Sequence, residues 1–264
     1  MLFKGKVRYG LLTCLFMASF ASAQDGVTQS FRLVHDSLTL HEPVLVEFAL
    51  RNGSSQGIET DLGFNRKQNF SLTITTPDRH KVTASPIAAE GFGAVGQISL
   101  RPGETYRQVL LLSERYNFET TGEYAVDVRL TGVIKNSEKQ AVASEAPSEM
   151  KLTILPRDAS RLTEVCTSLA ETAIRGSTYV EARDAALALS YVRDPVAVPF
   201  LARTLRESKL VRSEAADGLA RIATPEAVEV LNASSNSSDN ELNAIARSAL
   251  AIIDRKNKEA DTKR

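Results

Sequence analysis

The sequence predicts a multidomain β + α chain, in which an antiparallel β-sandwich over residues 24–155 precedes a short α-helical solenoid over residues 157–256. Apolar and polar residues alternate in the first segment, which is the period of a half-buried strand. In the second segment apolar residues recur every third or fourth position, as in an amphipathic helix. A pattern within the second segment also returns after 30 residues, which is typical of stacked helical units.

The N-terminus has the three parts of a secretory signal peptide. Basic residues occupy positions 4, 6 and 8, residues 11–20 are mostly apolar, and Ala21-Ser22-Ala23 supplies a small-x-small cleavage pattern. A membrane anchor would need about 20 apolar residues, more than this run contains. Residues 1–23 are therefore predicted to be removed, which makes the mature protein periplasmic or secreted. Lipidation at Cys14 is a minor alternative, because Thr13 is bulkier than the usual preceding residue.

The net charge limits the kinds of partner that the protein can bind, and the cysteine content limits its disulfide and thiol chemistry. The first 23 residues hold three Lys or Arg and no acid, so the remainder carries 29 basic against 32 acidic side chains. A net charge of −3 predicts no binding of nucleic acid and no attraction to an anionic membrane. Cys166 is the one cysteine after the signal, which excludes an internal disulfide. The helical spacing around Cys166 predicts that its side chain is a small buried one. The alternative is that Cys166 is a nucleophilic thiol. That role would need a histidine partner, and all three histidines lie in the first segment.

Seven short alternating segments predict the strands of the sandwich. In residues 43–50 the alternation places Val44, Val46, Phe48 and Leu50 on one face. Gly- and Pro-containing turns separate the segments without intervening helical patterns, which favours two packed antiparallel sheets. The predicted strands are residues 38–40, 43–50, 70–74, 97–100, 106–112, 122–130 and 151–155.

Two turns in this region carry a resemblance to known domains. Pro102-Gly103-Glu104 precedes one strand, and Gly122-Glu123-Tyr124 opens the next. The pattern resembles immunoglobulin-like domains of bacterial envelope proteins, and it is similar to bacterial proteinase-inhibitor domains of the same build. The resemblance implies a tyrosine corner, in which the Tyr124 hydroxyl bonds to nearby backbone. Because the cysteine pair and tryptophan of antibody domains are missing, the core is expected to consist of Leu, Val, Ile and Phe.

Two segments are predicted to be loops. Glycines between residues 79 and 97 lack the spacing of a phosphate-binding loop, and no helix follows them to receive an anion. Phe92, flanked by two glycines, is a candidate contact for a protein partner. Residues 135–150 are polar and are predicted to form a long hairpin loop or a frayed strand pair.

Capping residues mark the ends of the predicted helices. Gly176 suits a helix C-terminus, and either Ser177 or Thr178 is expected to cap the next helix, with Glu181 at capping-box distance from Thr178. Asp194 and Thr224 each precede a proline, which is favoured in the first helical turn. The predicted helices are residues 157–175, 178–192, 194–208, 210–222, 224–233 and 241–254, and residues 257–264 are predicted to be a disordered tail.

The 30-residue repeat carries a second resemblance. Residues 194–201 read Asp-Pro-Val-Ala-Val-Pro-Phe-Leu, and residues 224–231 read Thr-Pro-Glu-Ala-Val-Glu-Val-Leu. This motif resembles HEAT repeats of the short bacterial kind. The resemblance implies an α-solenoid in which helices 178–192 and 194–208 form one pair, helices 210–222 and 224–233 form the next, and the outer helices act as caps. A plain helical bundle is the alternative.

A mixed-charge surface is the predicted partner-binding site of the solenoid. Charged side chains on the concave side of the solenoid could form a groove that binds a partner, or they could simply form a solvated face. The binding groove is the more specific of these two hypotheses. Together with Phe92, the predicted partner-binding residues are Arg203, Arg206, Glu226 and Glu229.

The sequence contains no motif for catalysis. His-Glu-x-x-His, Gly-x-Ser-x-Gly, a Walker loop and Cys/His clusters at metal spacing are all missing. We therefore assign no catalytic residue, cofactor or metal, and predict that the protein is not an enzyme. The leading hypothesis is an exported protein-binding or scaffold protein. The alternatives are a proteinase inhibitor that inserts residues 87–97 into a protease, and an enzyme similar to the bacterial HEAT-type proteins that resemble lyases acting on bilin chromophores.

Overall fold

The chain folds into a β-rich region followed by a helical region, as the sequence predicts. The computed structural model describes residues 26–85, 96–144 and 149–262, so the predicted signal peptide and Phe92 lie outside the described residues. The described residues form eleven strands and six α-helices. The strands are β1 (Val27–Leu33), β2 (Ser37–Thr39), β3 (Leu45–Asn52), β4 (Ile58–Asp61), β5 (Phe70–Thr75), β6 (Lys81–Thr83), β7 (Gln97–Leu100), β8 (Thr105–Leu111), β9 (Gly122–Leu130), β10 (Lys135–Asn136) and β11 (Met150–Leu155).

The described strands form three sheets. Their strand orders are β1-β3-β8, β10-β4-β7 and β2-β11-β9-β5-β6. Neighbouring strands pair antiparallel, as predicted, with the exception of β2, which runs parallel to β11. β2 and β11 come from opposite ends of the β-rich region, so no tight turn connects them and their relative direction is not constrained to be antiparallel.

One hydrophobic core lies between these sheets. The predicted inner face is confirmed, because Val44, Val46, Phe48 and Leu50 are completely buried. The ring centroids of Phe48 and Phe70 lie 5.0 Å apart in an edge-to-face arrangement. The sheet that contains β3 therefore faces the five-stranded sheet.

The sequence pattern misses β1, β4, β6 and β10. In β1 the two buried positions are the terminal ones, Val27 and Leu33. In β6 all three residues are exposed, and β10 contains two residues. β4, β6 and β10 have four residues or fewer, which is too short to show a period of two, and the five inner residues of β1 are all intermediate or exposed, so burial does not alternate there. Each of these strands forms because a neighbour supplies its hydrogen-bonding partners.

Tyr124 of β9 is buried and bonds to the backbone of the preceding turn. Its hydroxyl donates a hydrogen bond to the carbonyl oxygen of Thr120 at 2.8 Å. The backbone N–H of Thr120 donates to the same hydroxyl at 3.3 Å. The backbone contact that the resemblance implies for Tyr124 is therefore present.

Replacing Tyr124 with phenylalanine is expected to lower the free energy of unfolding by about 1 kcal/mol, because the buried side chain loses the hydroxyl that bonds to the Thr120 backbone. The midpoint of urea denaturation measures this change. Tyr179→Phe is the control, since that ring is 53% exposed, and its effect should stay within about 0.5 kcal/mol. Equal midpoints for the two variants would contradict a stabilising role of the Tyr124 hydroxyl.

The helices begin at the capping residues that the sequence indicates. Thr178 accepts a hydrogen bond from the Glu181 N–H, Asp194 from the Val196 N–H, and Thr224 from the Ala227 N–H. Short 3₁₀ turns at Pro195–Ala197 and Lys209–Val211 precede the third and fourth helices. The helices are α1 (Ala159–Arg175), α2 (Tyr179–Ser190), α3 (Val198–Glu207), α4 (Arg212–Ile222), α5 (Pro225–Ser235) and α6 (Asn240–Thr262).

The last helix is longer than predicted. It includes residues 257–262, which the sequence analysis assigned to a disordered tail over residues 257–264. Lys, Glu and Ala in this stretch have high helix propensity, and neither Gly nor Pro interrupts it. Propagation from the packed first half of α6 costs little, so the helix continues even though these residues are exposed.

The helices pair differently from the predicted scheme. α1 packs on α2, α3 on α4 and α5 on α6, so all six belong to hairpins and none is a single cap. The turns at Asp194-Pro195 and Thr224-Pro225 connect successive hairpins rather than partners within a hairpin. Stacking of the three hairpins places α1, α3 and α5 in one layer and α2, α4 and α6 in the other.

The two layers are packed to different degrees. In the α2–α4–α6 layer, small buried residues allow close approach, and a Cβ added to Gly218 would lie 2.8 Å from the Cα of Ser190. In the other layer, α3 and α5 touch much less. α3 and α5 therefore belong to the more widely spaced of the two layers.

Hydrogen bonds and a buried ion pair connect the β-rich region to α1. The Thr39 hydroxyl donates to the Pro156 carbonyl oxygen and accepts from the Asp158 N–H, both at 2.7 Å. Arg161 Nε donates to Glu42 Oε2 at 2.8 Å, and the Glu42 side chain is 4% exposed. Arg161 Nη2 also donates to the Ser37 carbonyl oxygen at 2.7 Å. These contacts hold the N-terminal turn of α1 against β2 and the residues that follow it.

Candidate partner-binding groove

A groove with a volume of about 770 Å³ opens between α3 and α5 and ends at the start of α6. Three of the predicted partner-binding residues, Arg206, Glu226 and Glu229, line it. The remaining lining residues are apolar or small and uncharged. They are Pro195, Val198, Pro199, Val230, Ala233, Ser234, Ser237 and Leu242.

The 30-residue repeat explains why these side chains meet. The capped turns at Asp194 and Thr224 start equivalent helices in successive hairpins, so α3 and α5 run in the same direction in one layer. Residues 30 positions apart then lie side by side. Glu226 and Glu229 fall beside the first turns of α3, whereas Arg206, in the last turn of α3, falls beside the end of α5. The groove is therefore acidic at one end and basic at the other.

The floor of the groove is apolar. Val198 and Leu242 are 7% and 8% exposed, and Val230 is half-buried against the helical core. These residues are not among the predicted site residues, because the helical period assigns such positions to the core. The separation of α3 and α5 leaves them at the bottom of an open groove, and no sequence signal encodes that separation.

The three charged residues at the groove are exposed and have no ion-pair or hydrogen-bond partner within the described parts of the chain. Glu226 lies in the first turn of α5, where a carboxylate interacts favourably with the helix dipole. Arg206 lies in the last turn of α3, where a cation interacts favourably with the helix dipole as well, whereas Glu229 lies in the middle of α5 and has no comparable local interaction. All three charged residues lie in the layer formed by α1, α3 and α5, whereas small buried residues draw α2, α4 and α6 together in the other layer.

Arg203 does not join the groove. Its Nη1 donates to Glu171 of α1 at 2.6 Å, and its Nε donates to Glu207 at 3.1 Å. The hydrogen bond from Arg203 holds the pKa of Glu171 below its ordinary value. Arg203 therefore links α1 to α3, and of the predicted site residues on α3 only Arg206 faces the groove.

A second cavity, of about 530 Å³, lies between β8 and α2 and differs in its charges. Arg107 pairs with Glu47 at 2.7 Å, Lys67 with Glu114 at 3.3 Å, and Arg183 with Glu214 at 3.4 Å. Each pair joins two residues of the same region, so these charges are already neutralised within the β-rich or the helical region. We therefore regard the groove between α3 and α5 as the stronger candidate for binding a partner.

Cys166 is a core residue of α1. It is completely buried, and burial, with a smaller contribution from Asp194, raises the pKa of its thiol to about 12. The thiol is therefore protonated at neutral pH and is not a nucleophile. The interpretation of Cys166 as a buried small side chain is confirmed.

In the native, signal-cleaved protein, Cys166 is expected to react with a chromogenic disulfide reagent at pH 8 more slowly than in 6 M guanidinium by about 100-fold or more, because its side chain is completely buried and burial raises the pKa of its thiol. The absorbance of the released thiolate measures both rates. A cysteine introduced at the exposed Ser168 is the control and should react rapidly in the native protein. Similar native rates at the two positions would show that the buried thiol is accessible.

Helices long and apolar enough to cross a membrane are not found in the part of the chain that the structure describes. Within the same residues, no group of three or more His, Cys, Asp or Glu side chains has an arrangement that could hold a metal ion.

Comparison with known proteins bears on the helical region. Residues 167–251 match the family of HEAT repeats, a range that contains α2, α3, α4 and α5 and parts of α1 and α6. No curated protein matches the chain. HEAT repeats indicate a role in protein interaction or as a scaffold. The helical region is thus of HEAT type, and it follows a β-rich region with antiparallel sheets.

Solved structures show distant likenesses. Human deoxyhypusine hydroxylase in complex with glycerol is 22% identical, with a TM-score of 0.30, and the match covers 38% of this chain and 44% of the hydroxylase. The CARDB domain of a Pyrococcus furiosus protein, in complex with di-metal ions, is 10% identical with a TM-score of 0.28, covering 50% of this chain and 94% of that domain. The sporulation control protein Spo0M of Bacillus subtilis is 12% identical with a TM-score of 0.27, covering 55% of each chain. Likenesses this weak carry no argument about function.

Proposed function

We propose that this is an exported, non-enzymatic scaffold protein that binds another protein in the groove between α3 and α5. The observation that carries the proposal is the combination of an apolar floor with three charged side chains that have no partner in the described parts of the chain. Protein-binding sites join a desolvated apolar centre to a polar rim in this way. The match of residues 167–251 to HEAT repeats supports the same class of function.

The β-rich region serves in this proposal as an immunoglobulin-like module that is held in place beside the solenoid. The Tyr124–Thr120 hydrogen bond and the facing sheets support this interpretation. The buried Glu42–Arg161 pair and the Thr39 hydrogen bonds support a stiff connection to α1. A stiff connection holds the two modules of a scaffold in one relative orientation. A partner that contacts both modules then binds more tightly, because less conformational entropy is lost on binding.

Export rests on the N-terminal sequence. The basic start, the apolar run and the Ala21-Ser22-Ala23 pattern support cleavage after Ala23 and a periplasmic or secreted location. Mass spectrometry of the protein from culture medium and cell fractions is expected to show a mature chain that begins at Gln24. An uncleaved chain recovered from the cytoplasm would contradict this part of the proposal.

Site-specific photocrosslinking in the native host tests the groove as a binding site. A photoreactive amino acid at Ala233, an exposed lining residue, should give a discrete adduct with one protein. The same group at the exposed Glu164 on α1 should not. The adduct should disappear when Val230→Arg fills the groove, provided that the thermal midpoint of that variant is unchanged. Equal adducts from both positions, or an adduct that survives Val230→Arg, would contradict a site in the groove.

A further inference from the structure

We infer that the groove receives an amphipathic helix of the partner protein, with basic side chains against Glu226 and Glu229 and an acidic side chain against Arg206. This inference rests on the proposed function of the groove as a protein-binding site. Three properties of the groove support it: the nature of its walls, its length and the separation of its charges.

The walls favour a helical occupant over an extended one. α3 and α5 form both sides of the groove, and the backbone N–H and C=O groups of helices are bonded internally. An extended segment would find no backbone partners there, and its own polar groups would be desolvated over Val198, Val230 and Leu242. A helix satisfies its own backbone and offers one apolar face, which is the usual mode of helix-in-groove recognition.

The length of the groove sets the length of the occupant. Arg206 follows Pro195 by eleven residues, which corresponds to about 16 Å along the axis of a helix. About three turns of a partner helix fit in this space. Apolar residues at positions i, i+4 and i+7 of that helix would lie over the apolar floor.

The charges specify where the partner's own charges must lie. Glu226 and Glu229 share the end of the groove near Pro195, and Arg206 lies at the other end near Ala233 and Ser237. None of the three is neutralised by the described parts of this chain. A bound helix without complementary charges would partly desolvate these three side chains without forming ion pairs with them. Basic and acidic side chains at the two ends of the helix would instead pair with them.

Designed peptides test this inference directly. The probe is a 16-residue helix-forming peptide with a leucine face, lysines in one terminal turn and glutamates in the opposite turn. Its binding to the purified protein is followed by fluorescence anisotropy and by the gain of helical circular dichroism. We expect it to bind about tenfold more tightly than a peptide in which glutamates replace the lysines. A proline in the middle of the peptide should abolish binding.

Charge reversal in the protein completes the test. The Glu226→Lys/Glu229→Lys variant should prefer the all-glutamate peptide, which inverts the order found for the natural protein. Glu164→Lys/Asp254→Lys has the same change in net charge at exposed positions outside the groove and should leave the preference unaltered.

Three outcomes would overturn the inference: binding of neither peptide to the natural protein, equal effects of the two double variants, or unimpaired binding of the proline peptide. If one of these outcomes is found but crosslinking at Ala233 still succeeds, the groove remains a protein-binding site. In that case only the inference of a helical, charge-paired occupant is rejected. Loss of the crosslink as well would reject the proposed function itself.

Discussion

Replacing Arg161 with alanine is expected to lower the free energy of unfolding by about 3 kcal/mol, because the variant leaves the Glu42 carboxylate buried without its cationic partner. The guanidinium also donates to the Ser37 carbonyl oxygen, which would lose that bond. One third of the Arg161 side chain is exposed, so water can enter in the variant, and the expected loss is at the lower end of the range for buried ion pairs. Urea denaturation followed by circular dichroism measures it.

The control for Arg161 is an exposed arginine of the β-rich region. Arg129 pairs with Asp127 at 2.8 Å, and 59% of its side chain is exposed. Arg129→Ala should therefore cost less than about 1 kcal/mol. A second expectation distinguishes a weakened junction between the two regions from a general loss of stability. In Arg161→Ala the β-rich and helical regions should unfold in two resolved steps rather than together. Equal losses for the two alanine variants, with a single transition in each, would contradict the importance of this junction.

Replacing Gly218 with alanine is expected to destabilise the protein by about 2 kcal/mol, although alanine is the better helix former. The new Cβ would lie 2.8 Å from the Cα of Ser190 in α2 and 2.8 Å from a methyl group of Leu201 in α3. Overpacking of this kind costs about 1–3 kcal/mol, which exceeds the gain of about 1 kcal/mol in helix propensity. The backbone of α2 cannot move away without disturbing its own packing on α1.

Gly57→Ala is the matched control for the change at Gly218. A Cβ there would meet only the Leu100 carbonyl oxygen, at an ordinary contact distance of 3.8 Å. The free energy of unfolding of this variant should stay within about 0.5 kcal/mol of the natural value. If Gly218→Ala were as stable as Gly57→Ala, the close approach of α2 and α4 would not be a constraint on the stack. A thermal melt of both variants decides between these outcomes.

Local residues were enough to predict most of the elements. The alternation in residues 43–50 identifies β3 and its buried face correctly, because that strand is long enough to show its period. Thr178, Asp194 and Thr224 mark true helix starts, since a cap acts through backbone groups within three residues of itself. The prediction of a disordered tail was wrong for residues 257–262, because the helix propagates from the packed first half of α6 into an exposed, charged stretch that neither Gly nor Pro interrupts.

The candidate groove could be predicted only in part. Arg206, Glu226 and Glu229 were identified as surface charges on equivalent helices, and the repeat was sufficient for that. Arg203 was placed with them, yet it pairs with Glu171, a residue 32 positions earlier whose approach depends on how α1 packs beside α3. Phe92 lies outside the described residues and stays a prediction.

The sequence by itself determined most of the longer strands, the six helices, the caps at which three of them start and which residues repeat, because those properties depend on neighbours a few positions apart. Only the tertiary structure decided which helices form hairpins, which layer is tight and where a groove opens. Those outcomes depend on contacts between distant residues, such as Gly218 with Ser190 and Arg161 with Glu42. Side-chain volume at such contacts sets how closely two elements approach, and no local period in the sequence records it.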